Sequence, residues 1–182
     1  MKHISILVPE GAILGSLEGS RQLLTQVNEF FKAKGAPPIF EVHLVGLGRE
    51  TRLCGGLFTA NPDKLISEVP KTDLIIIPAL DGDISKAIEK NKSFIPWIIK
   101  QYNSGAEVAS LCLGAFLLAS TGLLNGRKCA THWMAENNFR RMFPEVNLVT
   151  EKVITDEQGL YSSGGAFSYM NLILYLDRKS VV

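Results

Sequence analysis

The sequence predicts an α/β domain in which crossover helices join the strands of a mostly parallel sheet. Short apolar runs alternate with segments of helical periodicity along the chain, as in repeated strand and helix units. Residues 73–78 form a nearly continuous apolar run, which is typical of a central strand buried on both faces. A second buried run, residues 108–111, passes abruptly into a helical segment at Cys112.

The first half of the chain predicts strand and helix units around this central strand. Apolar residues at helical spacing place the first helix after the Pro9-Glu10-Gly11 turn, and Gly35 is suited to cap its end. The predicted elements are a strand at 3–9, a helix at 17–34, a strand at 40–45, a hairpin at 53–59, the central strand at 73–78 and helical segments at 83–102.

The second half follows the same plan. Pro96 is expected to start a second helix segment within 83–102, and Gly105 ends it. The later elements are a strand at 108–111, a helix at 114–121, a strand at 128–131, a helix at 132–142, paired strands at 148–155 and 160–163, and a closing helix at 166–176. Residues 1–182 are therefore expected to form a single domain.

Composition excludes several classes of protein. Nineteen Lys and Arg residues against eighteen Asp and Glu leave a formal net charge of +1, without the basic run typical of a free-standing DNA-binding domain. Three widely spaced cysteines form neither a disulfide framework nor a metal-ligand pattern, and no glycine-rich phosphate loop is present. We expect a cytoplasmic protein without a membrane span, a metal or another cofactor.

Cys112 is the strongest candidate for a functional residue. It lies between a buried strand and a helix, with Gly114 two positions beyond it, as in enzymes whose nucleophile occupies a sharp strand-to-helix elbow. A helix start favours negative charge, so this position would favour the reactive thiolate. The alternative is a buried structural cysteine, which is common among free thiols. Spacing alone leaves both open.

Several blocks of sequence resemble one superfamily. Residues 110–119, followed by 122–127, resemble ThiJ/PfpI proteins, which are related to class I glutamine amidotransferases. Residues 130–133 and Gly164-Gly165-Ala166 resemble a narrower branch, which contains isonitrile hydratases and the N-terminal domains of AraC-type transcription regulators. The resemblance implies a flavodoxin-like sandwich with helices on both faces of the sheet, a cysteine at the nucleophile elbow and a tendency to form homodimers.

The residues around the elbow depart from the enzyme pattern that the resemblance implies. Ser16 stands where hydratases have an aspartate, and Leu113 replaces a histidine found after the cysteine in some enzymes. The glycine-rich oxyanion loop is replaced by residues 78–82. Glu18 is a possible acid or an exposed first-turn residue, and His132 is a possible base or a helix-start cap. The candidate ligand-binding residues around Cys112 are Glu18, Leu80, Leu113, Thr131 and His132.

Two principal functions remain open. The leading hypothesis is the ligand-sensing and dimerising N-terminal domain of an AraC-type regulator, which binds a small molecule and reaches DNA only through a helix-turn-helix domain expected beyond Val182. The alternative is a stand-alone hydratase or hydrolase that uses Cys112 as its nucleophile. A third hypothesis is a redox sensor in which Cys112 is selectively oxidised.

Overall fold

A computed structural model describes residues 1–165 and 167–181. Their eleven strands are β1 (Lys2–Leu7), β2 (Phe40–Gly46), β3 (Thr51–Leu53), β4 (Phe58–Ala60), β5 (Lys64–Leu65), β6 (Leu74–Ile77), β7 (Glu107–Leu111), β8 (Lys128–Cys129), β9 (Asn147–Leu148), β10 (Ile154–Glu157) and β11 (Leu160–Ser163). Their six α-helices are α1 (Leu14–Ala33), α2 (Ile84–Asn91), α3 (Phe94–Asn103), α4 (Ala115–Ala119), α5 (Glu136–Met142) and α6 (Ser168–Val181).

Seven of the strands form one sheet in the order β10-β11-β7-β6-β1-β2-β5. Every neighbouring pair is parallel except β10 and β11, which are antiparallel. The predicted mostly parallel sheet is therefore confirmed. The apolar run at 73–78 supplies β6, which is the central strand of the seven and is buried along its whole length.

Helices cover both faces of this sheet, as expected. Side chains alternate along a strand, so Ile6 of β1 packs with α1 and α6 while Leu7 packs against the core on the other face. That second core contains residues of α2, α3, α4 and α5, among them Phe94 and Phe116. Each fully buried aliphatic or aromatic side chain of this kind contributes roughly 2 kcal/mol.

The predicted break between two helices after β6 is also confirmed. The Asp83 carboxylate accepts a hydrogen bond from the Lys86 backbone N–H at 3.2 Å and so caps the start of α2. Pro96 lies in the first turn of α3, where its missing N–H removes no helical hydrogen bond. No helix in the described residues combines the length and apolar character needed to cross a bilayer.

Two predicted elements differ from the structure. The predicted pairing with 160–163 is confirmed for β10, but the single strand predicted at 148–155 is wrong. Strand β9 pairs with β8 in a separate small sheet, and a turn at 149–152 separates it from β10. The helix predicted at 132–142 begins as a 3-10 turn at Trp133–Ala135 before α5.

Several helices also begin or end at residues other than those predicted. Helix α1 begins at Leu14, three residues before its predicted start. Helix α4 ends at Ala119, where the Ser120 and Thr121 hydroxyls bond to carbonyls of the preceding turn. Ala166, the predicted first residue of the closing helix, lies outside the described residues.

Candidate functional site

A pocket of about 530 Å³ lies at the carboxyl edge of the parallel strands, beside Cys112. Its walls come from the start of α1, the loop after β6, the turn after β7, the 3-10 turn before α5 and the start of α6. Parallel strands all deliver their following loops to this edge, which is where open α/β sheets usually bind ligands. The fold therefore places Cys112 at the most favourable position for a site.

The predicted elbow at Cys112 is present. Leu111 is still extended, Cys112 has a φ of 52°, and a 3-10 turn through Gly114 leads directly into α4. A left-handed backbone is strained for a residue with a side chain, so the surrounding structure must hold it. Gly114 permits this, because a Cβ there would overlap the Pro78 carbonyl oxygen and lie 2.8 Å from that of Ile77.

The surroundings of Cys112 disfavour its thiolate. Only 7% of the residue is exposed, and this burial raises the pKa of the thiol above its ordinary value. A hydrogen bond from the Leu113 backbone N–H acts in the opposite direction but does not offset the burial. The expectation that the helix start would favour a thiolate is therefore wrong for this elbow.

Ser16 connects the start of α1 to the loop that faces Cys112. Its hydroxyl donates to the Ile13 carbonyl at 2.8 Å and accepts from the Ala79 backbone N–H at 3.0 Å. The Ile13 N–H in turn donates to the Ala79 carbonyl at 2.8 Å. The Ser16 hydroxyl therefore accepts the hydrogen bond of a loop N–H, so this N–H is not free to act as a donor in the pocket. Because serine is uncharged, Ser16 also supplies no charge with which to activate the thiol.

The structure brings three of the five predicted ligand-binding residues to the pocket wall. Leu80, Leu113 and His132 line it. Thr131 lies behind the wall, almost fully buried, and donates its hydroxyl to the Cys112 carbonyl at 2.9 Å. It fixes the elbow backbone rather than lining the cavity.

Glu18 is not among the residues that line the pocket. Because α1 begins at Leu14, Glu18 falls in its second turn instead of the first. Its half-exposed carboxylate accepts two hydrogen bonds from the Arg21 guanidinium, at 2.6 and 2.7 Å, and these lower the pKa of the carboxyl. The Glu18 carboxylate is therefore engaged with Arg21 and is not an acid at the wall of the Cys112 pocket.

His132 caps the 3-10 turn that follows it. Its Nδ1 accepts a hydrogen bond from the Met134 backbone N–H at 3.2 Å, and its ring stacks on Trp133 with centroids 5.8 Å apart. The hydrogen bond from Met134 therefore engages Nδ1 of His132 in its own turn at the pocket wall.

Sequence reasoning missed the contribution of the last helix to this pocket. Phe167 and Tyr169 line it from the start of α6, and Met134 lines it from the 3-10 turn. Tyr169 also packs closely on α1 at Gly19. A Cβ added to this glycine would lie only 2.6 Å from the tyrosine hydroxyl. A glycine inside the predicted first helix, Gly19, could have indicated this close approach.

The pocket walls are mainly apolar, and their polar groups are few. Asp81 is the only carboxylate among the lining residues described, and none of them is a lysine or arginine. Its Oδ1 accepts from the Gly82 backbone N–H at 2.7 Å. Among residues 1–165 and 167–181, no three His, Cys, Asp or Glu side chains are grouped so as to hold a metal ion. Such walls suit a small ligand with a large apolar part.

Two curated proteins resemble the chain along most of its length. The HTH-type transcriptional regulator GbdR of Pseudomonas aeruginosa is 25% identical over 176 residues, covering 96% of this chain and 46% of the regulator. The isonitrile hydratase of Pseudomonas putida is 25% identical over 146 residues, covering 79% of this chain and 61% of the enzyme. The chain thus spans about half the length of the curated relatives that it matches.

Comparison of structures gives the same fold. The crystal structure of an AraC family transcriptional regulator from Pseudomonas putida superposes with a TM-score of 0.79 at 16% identity, covering 98% of this chain and 92% of that one. The model of the DJ-1/PfpI family matches residues 23–176, which include the elbow and most of the pocket wall. The chain belongs to the DJ-1/PfpI family.

Proposed function

We propose that this domain binds a small molecule in the Cys112 pocket and serves as the sensing part of an AraC-type transcription regulator. One observation carries the proposal: the polar groups around the thiol are engaged in holding the pocket wall together. Ser16 binds the Ala79 N–H, His132 caps its own turn, and burial raises the pKa of the Cys112 thiol. The pocket retains space and shape, whereas no acid or base among the described residues is hydrogen-bonded to the thiol as an enzyme's catalytic partner would be.

The rest of the regulator is part of the same proposal. A helix-turn-helix domain beyond this chain would contact DNA, because a net charge of +1 gives this domain little attraction for phosphates. The relative GbdR is named as an HTH-type transcriptional regulator, and this chain covers 46% of it. We further propose that the domain works in the cytoplasm and associates with a second copy of itself.

The experiment is a thermal-shift screen of small amines, amides, carboxylates and amino acids, followed by calorimetry on any compound that stabilises the domain. Leu113→Trp would fill the pocket, and Leu57→Trp is a matched control at an exposed turn elsewhere. We expect a compound that stabilises the wild type and the Leu57 variant but not the Leu113 variant. The proposal fails if no compound distinguishes these proteins.

A hydratase or hydrolase remains the second candidate because the elbow itself is intact. Cys112 keeps the left-handed backbone of a nucleophile, and the Leu113 N–H lies beside its sulfur, where an oxyanion donor would stand. The isonitrile hydratase relative shows the chemistry to test first. Turnover of isonitriles, amides or glyoxal-type carbonyls that is lost in Cys112→Ser would favour this candidate. Ligand binding that survives Cys112→Ser without turnover favours the sensor.

A further inference from the structure

The wall of the Cys112 pocket is apolar where it is buried and carries a carboxylate where it is exposed. The buried part of the wall includes Ala79, Leu80 and Cys112, which are small or apolar. The exposed part includes Phe167 and the acid Asp81. A molecule that enters the pocket therefore meets apolar side chains inside and one acid of the described wall at the opening.

The backbone holds Asp81 in a fixed position at this opening. The Asp81 N–H donates to the Gly11 carbonyl at 2.9 Å, and the Ile13 N–H donates to the Ala79 carbonyl at 2.8 Å. These two bonds tie the loop after β6 to the loop after β1. The Gly82 N–H donates to Oδ1 of Asp81 at 2.7 Å, which orients the carboxylate and leaves Oδ2 available as an acceptor.

The lysines of the described chain nearest to Asp81 in sequence are engaged with other acids. Lys86 of α2 pairs with Asp83 at 3.4 Å. Lys90 of the same helix pairs with Glu10 at 2.8 Å. None of the described lining residues is a lysine or arginine. A ligand that covers the opening removes water from the Asp81 carboxylate, and a positive charge with N–H donors on that ligand compensates best for the loss.

We infer that the ligand of this pocket is a protonated amine with an apolar body, whose ammonium group donates a hydrogen bond to Asp81. The apolar body would contact the buried part of the wall, which offers no other charge among its described residues. An anionic ligand would be repelled by Asp81, and a neutral one would cover the carboxylate without a counter-charge. This inference rests on the proposed function and names the chemical class of the molecule that the domain senses.

The experiment compares compounds that share one apolar body and differ in charge. The probes are phenylethylamine, phenylethanol and phenylpropanoate, and calorimetry measures their binding to the 182-residue chain near neutral pH. We expect the amine to bind about tenfold tighter or more than the alcohol, because a charge-assisted hydrogen bond is stronger than a neutral one. The carboxylate is expected to bind most weakly. Added salt should weaken binding of the amine and leave that of the alcohol unchanged.

Two matched variants test the contact with Asp81. Asp81→Asn removes the charge, and its amide oxygen can still accept from the Gly82 N–H, so the loop is expected to keep its fold. Glu151→Gln removes one negative charge at an exposed turn outside the pocket. We expect Asp81→Asn to weaken binding of the amine about tenfold while the alcohol keeps its affinity. Glu151→Gln should change neither, and circular dichroism checks the fold of both variants.

Two further measurements locate the bound amine and define its contact. Leu113→Trp fills the pocket, so it is expected to abolish binding of the amine. Phenylethyltrimethylammonium keeps the positive charge but has no N–H to donate, and we expect it to bind more weakly than the primary amine. Equal or tighter binding of the trimethylated compound would overturn the hydrogen bond to Asp81.

The outcomes separate this inference from the proposed function. An alcohol or carboxylate that binds as tightly as the amine, and is displaced by Leu113→Trp, overturns the amine class but supports a ligand site in the pocket. Amine binding that survives Leu113→Trp, or that Asp81→Asn leaves unchanged, overturns the assigned contact. If none of these compounds binds, the amine class is overturned, whereas ligand sensing itself is decided by the wider thermal-shift screen.

Discussion

Cys54 and Cys112 have the same backbone conformation in two very different regions. Both have a φ of 52°, which few residues with side chains adopt. Cys54 lies in the exposed turn between β3 and β4, whereas Cys112 is buried between β7 and α4. A left-handed cysteine is therefore not a functional site in itself. What distinguishes Cys112 is the structure that surrounds it.

Neighbouring glycines show how differently the two turns are held. Gly55 and Gly56 also have positive φ values, but nothing lies within 4 Å of a Cβ added to either. The hairpin turn is thus free of close packing at these two glycines. At the elbow, the carbonyls of Ile77, which ends the central strand, and of Pro78, which follows it, pack closely against Gly114. The elbow conformation therefore depends on tertiary packing, and substitutions distinguish the two turns.

The largest expected effect is on Gly114. We predict that Gly114→Ala lowers the free energy of unfolding by about 3 kcal/mol, because the new Cβ collides with backbone carbonyls that cannot move freely. Gly55→Ala costs only about 1 kcal/mol, since its strain is purely conformational. Urea denaturation of both variants measures the difference. Equal losses would show that close packing does not hold the elbow.

Thiol labelling tests the same comparison of Cys54 with Cys112, and its expected effect is of intermediate size. The Cys112 thiol is buried with a raised pKa, so less of it is thiolate at pH 8 than for an ordinary thiol. We predict that iodoacetamide modifies Cys54 about tenfold faster or more, and that the Cys112 rate keeps climbing above the pH at which an ordinary thiol levels off. Mass spectrometry of the peptides gives both rates.

Cys129 is the control for this labelling. It is fully buried, and burial raises the pKa of its thiol to about 12, so it should react only when the protein unfolds. Faster modification of Cys112 than of Cys54 would contradict the predicted order. That result would instead support selective reactivity at the elbow, as the redox hypothesis requires.

Residues close together in sequence account for what could be predicted. The apolar run at 73–78 identified the central strand, and the strand, cysteine and glycine around position 112 identified the elbow, because both patterns are local. The ThiJ/PfpI resemblance predicted the family and the flavodoxin-like sandwich. The closing of the pocket by Tyr169 could not be predicted in this way, since it depends on how α6 packs against α1.

Glu18 shows a second limit of sequence reasoning. Its predicted place in the first turn depended on where α1 begins, and helix starts shift easily by a few residues. Here the Ser16 hydroxyl and the Ile13 N–H bond to the loop after β6, and α1 starts earlier as a result. Those contacts join residues more than sixty positions apart. No local pattern encodes them.

The smallest expected effect is on Cys54. We predict that Cys54→Gly raises the free energy of unfolding by about 0.5 kcal/mol, because relief of the left-handed strain slightly exceeds the added freedom of the unfolded chain. Cys112→Gly gains the same relief but loses a buried side chain and leaves a void, so it should lower stability by about 1 kcal/mol. Thermal denaturation of the two variants under reducing conditions measures both changes. Equal shifts of the melting temperature in the two variants would contradict this prediction. They would show that the packing around Cys112 contributes nothing to stability beyond what the open turn at Cys54 has.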